Sequence, residues 1–102
     1  MSDELYFITG AFSVGSMRSR ELHETFRVMD IESKFDESSV MLFQNVEISM
    51  DKGLCSFSSE SADMEFLRLI SSAISEALKN GAIHHQIEVT DGEWNTIHVY
   101  KL

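Results

Sequence analysis

The fold class follows from residues 40–58, which read VMLFQNVEISMDKGLCSFS. Apolar residues occupy the even positions from 40 to 50 with one polar interruption, Gln44, and this alternation is typical of a strand with one buried face. The next three residues, Asp-Lys-Gly at 51–53, predict a turn, and residues 54–58 return as a second strand. We therefore predict a β-hairpin in the middle of the chain.

A helix is predicted on each side of this hairpin. Before it, residues 17–29 place Leu22, Phe26 and Met29 at helical spacing, so these side chains are expected to face the core. After it, a longer helix is expected to have Ser61 as its N-cap and to close at Asn80-Gly81. The predicted buried stripe of this second helix is Phe66, Leu67, Ile70, Ala73, Ile74 and Ala77.

The two ends of the chain supply further strands. Residues 5–12 (LYFITGAF) form a nearly continuous apolar run, which predicts a central strand. Residues 83–102 predict a hairpin around Asp91-Gly92. A two-residue turn would pair Val89 with Trp94, whereas a three-residue loop would pair Val89 with Glu93. We prefer the second register because it gathers the branched residues on one face; they are Ile83, Ile87, Val89, Ile97 and Val99.

The predicted element order is β-α-β-β-α-β-β. The first six elements match the ferredoxin-like split βαβ arrangement, and the seventh extends the antiparallel sheet by a C-terminal hairpin strand. In that architecture both helices cover one face of the sheet, and the other face meets water or a partner. We expect this α+β fold as a single domain over residues 1–102.

The chain is small and acidic, because its 102 residues carry 17 carboxylates against 8 Lys and Arg, for a net charge of −9. Nucleic-acid binding needs clustered cations, so this balance argues against such a partner. No apolar run approaches the ~18 residues that cross a bilayer, so no membrane partner is expected. The single cysteine, Cys55, fits a reducing compartment, and we expect a cytoplasmic protein.

A glycine loop between the first strand and the first helix is a candidate anion site. Its residues are Gly10, Gly15, Ser16, Arg18 and Arg20. Backbone N–H groups at a helix N-terminus hold anions, and the two arginines would add positive charge. The alternative interpretation is a helix start whose surface arginines pair with nearby acidic residues.

The separation of Gly10 from Arg18 resembles the phosphate-binding loop of the acylphosphatase family, small ferredoxin-like enzymes. The resemblance covers about ten residues and implies phosphate binding by Arg18. It also implies an Asn on a following strand, for which Asn45 is the nearby candidate. The second glycine, Gly15, falls one place late, and the loop contains no Gln.

The histidines and Cys55 are weaker candidates for chemistry. In the two hairpin registers His98 faces His85 or His84, but two imidazoles are fewer than the three or four ligands of a tight metal site. No CxxC, HExxH or HxH spacing is present, and no basic group adjoins Cys55. We expect no metal, no cofactor and no catalytic residue.

The predicted partner-binding surface combines a mixed sheet face with an acidic connection. The face carries Trp94, Tyr100, His98, His84 and Glu88, and aromatic anchors within a charged surround are typical of protein interfaces. The connection carries Asp30, Glu32, Asp36 and Glu37, whose charge would steer a basic protein towards the chain.

In size and charge the chain resembles toxin-immunity proteins, antitoxins and phage-encoded inhibitors. That resemblance implies a non-enzymatic protein that neutralises a basic partner, either a toxin or a nucleic-acid enzyme. Two alternatives stay open. One is a small anion-binding or acylphosphatase-like domain that uses the loop from Gly10 to Arg20. The other is a homo-oligomer, such as a dimer, joined through an edge strand or the exposed sheet face.

Overall fold

The computed structural model describes residues 4–102 and has an α+β fold, with two helices and one seven-stranded antiparallel sheet in this part of the chain. The helices are α1 (Ser19–Arg27) and α2 (Met64–Asn80). The strands are β1 (Tyr6–Ser13), β2 (Ser33–Phe35), β3 (Ser39–Leu42), β4 (Val46–Asp51), β5 (Leu54–Ser61), β6 (His85–Thr90) and β7 (Thr96–Lys101). Their order across the sheet is β2-β3-β4-β5-β1-β6-β7.

Both helices pack against each other and against the sheet, and one buried cluster fills the space between these layers. Because directly paired residues of antiparallel strands share a face, the register shows which side chains point towards the helices. Ile8 pairs with Val89, and Phe12 pairs with Cys55, and all four are buried. The alternating side chains point away from the helices, on a face that no helix of residues 4–102 covers.

The sheet has seven strands instead of the predicted five, so its order differs from a simple split βαβ. The single strand predicted over residues 40–50 is wrong, because a tight turn divides it into β3 and β4. Phe43 and Gln44 both have positive φ (54° and 66°), and the N–H of Asn45 donates to the carbonyl of Leu42 at 3.1 Å. The apolar residues of the predicted alternation nevertheless point into the core on both sides of the turn. They are Val40 and Leu42 before it, and Val46 and Ile48 after it. The additional strand β2 lies within the predicted acidic connection and pairs with β3.

The C-terminal hairpin has neither of the two predicted registers. Val89 pairs with His98 and Ile87 with Tyr100, across a five-residue loop at 91–95. The loop is longer than predicted because the Asp91 side chain organises it, as described below. The register also shifts between Val89 and Thr90, which marks a bulge. As a result, the predicted faces are right for β6, where Ile87 and Val89 are buried, and wrong for β7, where His98 and Tyr100 share their face and Val99 does not.

The two helices occur where predicted, with different ends. α1 is shorter than the predicted 17–29, so Met29 lies beyond it and is 40% exposed. Asp63, and not Ser61, caps α2 by accepting the N–H of Phe66 at 3.1 Å, and Ser61 accepts the N–H of Asp63 instead. Phe66 is 41% exposed and lies outside the buried stripe. Neither helix in the described residues is long and apolar enough to span a membrane.

Gly10 lies inside β1 rather than in a loop, which corrects its predicted position. It pairs with Phe57 on one side and with Ile87 on the other. The buried Phe57 ring lies across the glycine, so that a Cβ at this position would overlap the ring. The missing side chain at Gly10 therefore makes room for an aromatic core residue.

Candidate functional site

The side of the sheet opposite the helices is not covered by either helix of the described residues, and we call it the open face. The strand register assigns to it Thr9, Ala11, Glu47, Ser49, Ser56, Ser58, Glu60, Gln86 and Glu88. The central positions carry short side chains, since Thr9 lies between Ser58 and Glu88, and Ala11 lies between Ser56 and Gln86. Short side chains flanked by longer ones form a shallow trough, and several depressions run along it.

Three glutamates border this trough, and Asp51 lines the depression at its Leu54 end. Glu88 pairs with Thr9 across the sheet, Glu60 pairs with Phe7, and Glu47 lines the same depression as Thr9. Within residues 4–102 none of the three carboxylates makes an ion pair. By contrast, each ion pair in that range lies on a helix surface and joins Glu24 to Arg27, Glu65 to Arg68, and Glu76 to Lys79. The register also places Lys34, next to Met41, and Lys101, next to Gln86, at the two margins of this face, but neither lysine forms an ion pair with the three glutamates.

An exposed tryptophan stands at one end of the open face. Trp94 lies in the 91–95 loop, is 72% exposed, and stacks on Phe7 with ring centroids 5.1 Å apart and planes at 19°. Its backbone has a φ of 66°, a left-handed conformation that is unfavourable for a bulky residue. A large exposed ring in a strained backbone position contributes little to the core, and such positions are characteristic of functional surfaces.

Asp91 holds this loop in shape. Its Oδ1 accepts the backbone N–H groups of Glu93 and Asn95, both at 2.9 Å, and its Oδ2 accepts the Asn95 side-chain amide at 3.2 Å. The backbone closes the same loop, because the Asp91 N–H donates to the Asn95 carbonyl and the Trp94 N–H donates to the Asp91 carbonyl. Trp94 is thus presented by a rigid loop.

Acid is expected to loosen the loop that presents Trp94. The N–H of Asn95 contributes most to lowering the pKa of Asp91 below its ordinary 3.8, so the folded chain favours the ionised form. The stabilisation is complete above pH 3.8 and is lost as the pH falls through the lowered pKa. Trp94 emission, measured from neutral to acidic pH, should change in this window. Asp91→Ala should show the changed emission already at neutral pH, and an unchanged spectrum in that variant would contradict the assignment.

The structure separates the other residues of the predicted sheet face. Tyr100 and His98 pair with buried residues of β6 and point towards the helices, so they do not share a face with Glu88. His84 precedes β6, and its Nδ1 lies 3.0 Å from the carbonyl oxygen of Leu102. Trp94 and Glu88 are the members of the predicted set that lie at the open face.

The predicted acidic connection lies at the other edge of the sheet. Asp30, Glu32, Asp36 and Glu37 surround the edge strand β2, whereas Trp94 stacks on Phe7 of the central strand β1. Two of these carboxylates have local partners. The N–H of Ser38 and the hydroxyl of Ser39 both donate to Asp36 and lower its pKa, and Gln44 donates to Glu32 at 2.7 Å. A partner that touched both predicted regions would have to span the sheet.

The predicted anion loop lines a groove of about 730 Å³ at the start of α1. Arg18 and Arg20 border this groove together with Lys52, and no side chain caps the helix at Arg18. Asp36 and Glu37 border it too, and their carboxylates disfavour a bound anion. Gly15 and Ser16 lie in the groove as predicted, while Gly10 lies within β1.

The acylphosphatase-like arrangement is not reproduced around this groove. Asn45 lies in the β3–β4 turn and is not among the residues that border the groove. Ser19, which begins α1, donates its hydroxyl to the Asp36 carbonyl and is buried. Anion binding by this loop stays a prediction, supported here by Arg18, Arg20 and Lys52 alone.

Two titratable side chains, His85 and Cys55, are buried, and both lie in surroundings typical of core residues. His85 Nε2 lies 2.7 Å from the Ser75 hydroxyl and Nδ1 lies 2.9 Å from the Ile83 carbonyl, so that both ring nitrogens have partners inside the fold. Burial raises the pKa of the Cys55 thiol to about 11, and the protonated thiol is the unreactive form at neutral pH. Within residues 4–102, no three side chains of the metal-binding types come together.

The predicted sheet face contains none of the open-face residues of β1, β4 and β5, among them Phe7, Glu47 and Glu60. They lie on strands that are distant in the chain, and only the order β4-β5-β1-β6 brings them together. One signal was available, because Phe7 and Thr9 occupy the alternate positions to Ile8 in β1 and therefore point to the opposite face.

Comparisons with protein-family models, with curated proteins and with solved structures find no match to this chain.

Proposed function

We propose that this chain is a non-enzymatic binding protein that docks a basic protein on the open face of its sheet. The observation that carries the proposal is the contrast in charge pairing. Glu47, Glu60 and Glu88 border the open face without an ion pair in residues 4–102, whereas Glu24, Glu65 and Glu76 are paired on the helices. Cations supplied by a partner would compensate the three open carboxylates.

The open face has the physical properties of an encounter surface for a cationic protein. The net charge of −9 attracts such a protein from a distance, which raises its association rate, and the attraction is screened by salt. Once docked, the partner would cover the Trp94 ring, and buried tryptophans are frequent hot spots of interfaces. The acidic residues Asp30, Glu32, Asp36 and Glu37 would add to the steering from the β2 end.

An inhibitor or immunity role is the biological form that we propose for this binding. Neutralising a toxin or a nucleic-acid enzyme requires fast capture of a cationic surface, and electrostatic attraction supplies the required rate. The proposed location is the cytoplasm, where a lone buried thiol such as Cys55 stays reduced.

The test compares two triple variants that remove the same amount of negative charge. In one, Glu47, Glu60 and Glu88 are replaced by Gln on the open face. In the other, Glu24, Glu65 and Glu76 are replaced by Gln on the helices. Tagged chains of each kind and of the wild type would be incubated with native lysate at low salt, and the bound proteins would be eluted by increasing salt and identified by mass.

A basic protein retained by the wild type and the helix variant, but lost from the open-face variant, would support the proposal. We expect its affinity to fall by about tenfold or more on loss of the three carboxylates, from about 0.2–1 kcal/mol for each exposed pair and additional steering. Equal retention by both variants would place the interface elsewhere. Recovery of self-associated chain without a basic protein would favour the homo-oligomer instead.

We also propose that the fold is an elaborated ferredoxin-like arrangement. In support, β1 lies between β5 and β6, and α2 joins these two strands, while α1 lies in the connection from β1 towards β4 on the far side of β5. In this description β2, β3 and β7 are additions at the sheet edges. Cross-strand NOEs from β1 to both β5 and β6 in solution would test the strand order.

A further inference from the structure

A separate depression of about 390 Å³ lies at the Trp94 end of the open face. Phe7 and Trp94 form one part of its lining, and Thr9, Ser58 and Glu60 line it as well. The strand register explains this grouping, because Glu60 pairs with Phe7 and Ser58 pairs with Thr9 on the same face. An aromatic pair and a carboxylate therefore border one small cavity.

We infer that this depression is a subsite for one arginine side chain of the basic partner. The inference rests on the proposed function and names the side chain that the open face recognises. An arginine is planar and stacks on aromatic rings, and its donors match the two oxygens of a carboxylate. The ring system of Trp94 and Phe7 supplies the stacking surface, and Glu60 supplies the carboxylate.

The charge around the depression also selects a cation. Within residues 4–102 Glu60 makes no ion pair, and the neighbouring Glu88 accepts a hydrogen bond from Gln86 but forms no ion pair with a Lys or Arg. A cation near an indole ring is attracted to the ring face, most strongly for tryptophan. These two attractions act at the same place, so a bound guanidinium group would satisfy both.

The binding surface is formed in advance of the partner. The Asp91 side chain fixes the 91–95 loop by three hydrogen bonds, and Phe7 supports one face of the Trp94 ring. Little side-chain freedom is then lost when a ligand arrives, and this lowers the entropic cost of association. Phe7 belongs to the central strand β1, so that the support itself is anchored in the sheet.

The test uses short oligo-arginine and oligo-lysine peptides of equal length as probes. Trp94 is the single tryptophan of the chain, so its emission reports binding at this position. We expect the arginine peptide to change Trp94 emission and to bind about two- to fivefold more tightly than the lysine peptide, from stacking on the ring. Glu60→Gln should weaken the arginine peptide by about two- to fivefold, and the matched Glu76→Gln on α2 should change its affinity less.

A second measurement follows labelled peptides by anisotropy and does not depend on tryptophan emission. Trp94→Phe should retain most of the preference for arginine, and Trp94→Ala should lose it. Equal affinities of the two peptides, with Glu60→Gln no different from Glu76→Gln, would overturn the arginine subsite and leave the basic-partner proposal standing. If neither peptide binds at low salt, the proposed function fails together with the subsite.

Discussion

Valine in place of Gly10 is expected to lower the free energy of unfolding by about 3 kcal/mol, the upper end of the range for overpacked cores. The reason is the Phe57 ring, which occupies the space that a side chain at Gly10 would need. Strand propensity alone predicts the opposite sign, because valine is favoured in strands by up to about 1 kcal/mol. The steric conflict is larger, since both Gly10 and Phe57 are buried and their strands are paired on both sides.

Urea denaturation of Gly10→Val, Phe57→Ala and the double variant would measure this conflict. The double variant should be less destabilised than the sum of the two single variants, because removing the ring makes room for the valine. Ala11→Val is the matched control. It lies next to Gly10 in the same strand but on the open face, and should change stability by about 0.5 kcal/mol or less. Additive effects of the two single variants would show that the ring is not the cause.

Alanine in place of Phe26 is expected to cost about 3–5 kcal/mol, a large part of the total stability of a small domain. Phe26 is fully buried in the cluster between α1 and the sheet, so truncation would leave a cavity. The carbonyl of the same residue accepts the N–H groups of Met29 and Ile31, which end α1 and lead towards β2. We therefore expect the amides of β2 and β3 to show faster hydrogen exchange in the variant.

Phe66→Ala provides the control for this prediction. Phe66 is also helical but is 41% exposed, so its truncation removes less buried surface and should cost about 1 kcal/mol. Thermal or denaturant unfolding of both variants gives the comparison. Similar losses of stability at the two positions would contradict the placement of Phe26 at the centre of the core.

The segments whose structure could be predicted from sequence are those in which the local residue pattern favours the same structure that tertiary packing requires. α2 has apolar residues at helical spacing, acidic residues near its start, and Asn80-Gly81 at its end, so that its position was predicted within a few residues. The alternation from Val40 to Ile48 also predicted the buried face correctly. Propensity and burial act in the same direction in both segments.

The missed features depend on interactions that local patterns do not contain. The β3–β4 turn is formed by Phe43 and Gln44, neither of which is a usual residue for positive φ, and the polar Gln44 was its one signal. The hairpin register depends on the Asp91 side chain, which stabilises a five-residue loop where Asp-Gly suggested a shorter one. The open face could be anticipated as an uncovered sheet, but its carboxylates are brought together by strand order alone.

The central place of β1 has a consequence for synthesis of the chain. Both neighbours of β1, β5 and β6, are made later, and the second is complete only at Thr90. At about 5–20 residues per second, the first strand waits roughly 4 to 15 seconds on the ribosome before its last partner exists. Until β5 is complete at Ser61 its apolar segment has two unpaired edges, and until β6 is complete the edge facing β6 stays unpaired, the state in which strands of different nascent chains associate. Prematurely terminated chains that lack β6 should therefore aggregate. When many ribosomes translate the same mRNA, chaperones that cover the first residues of each nascent chain would be needed to prevent this association.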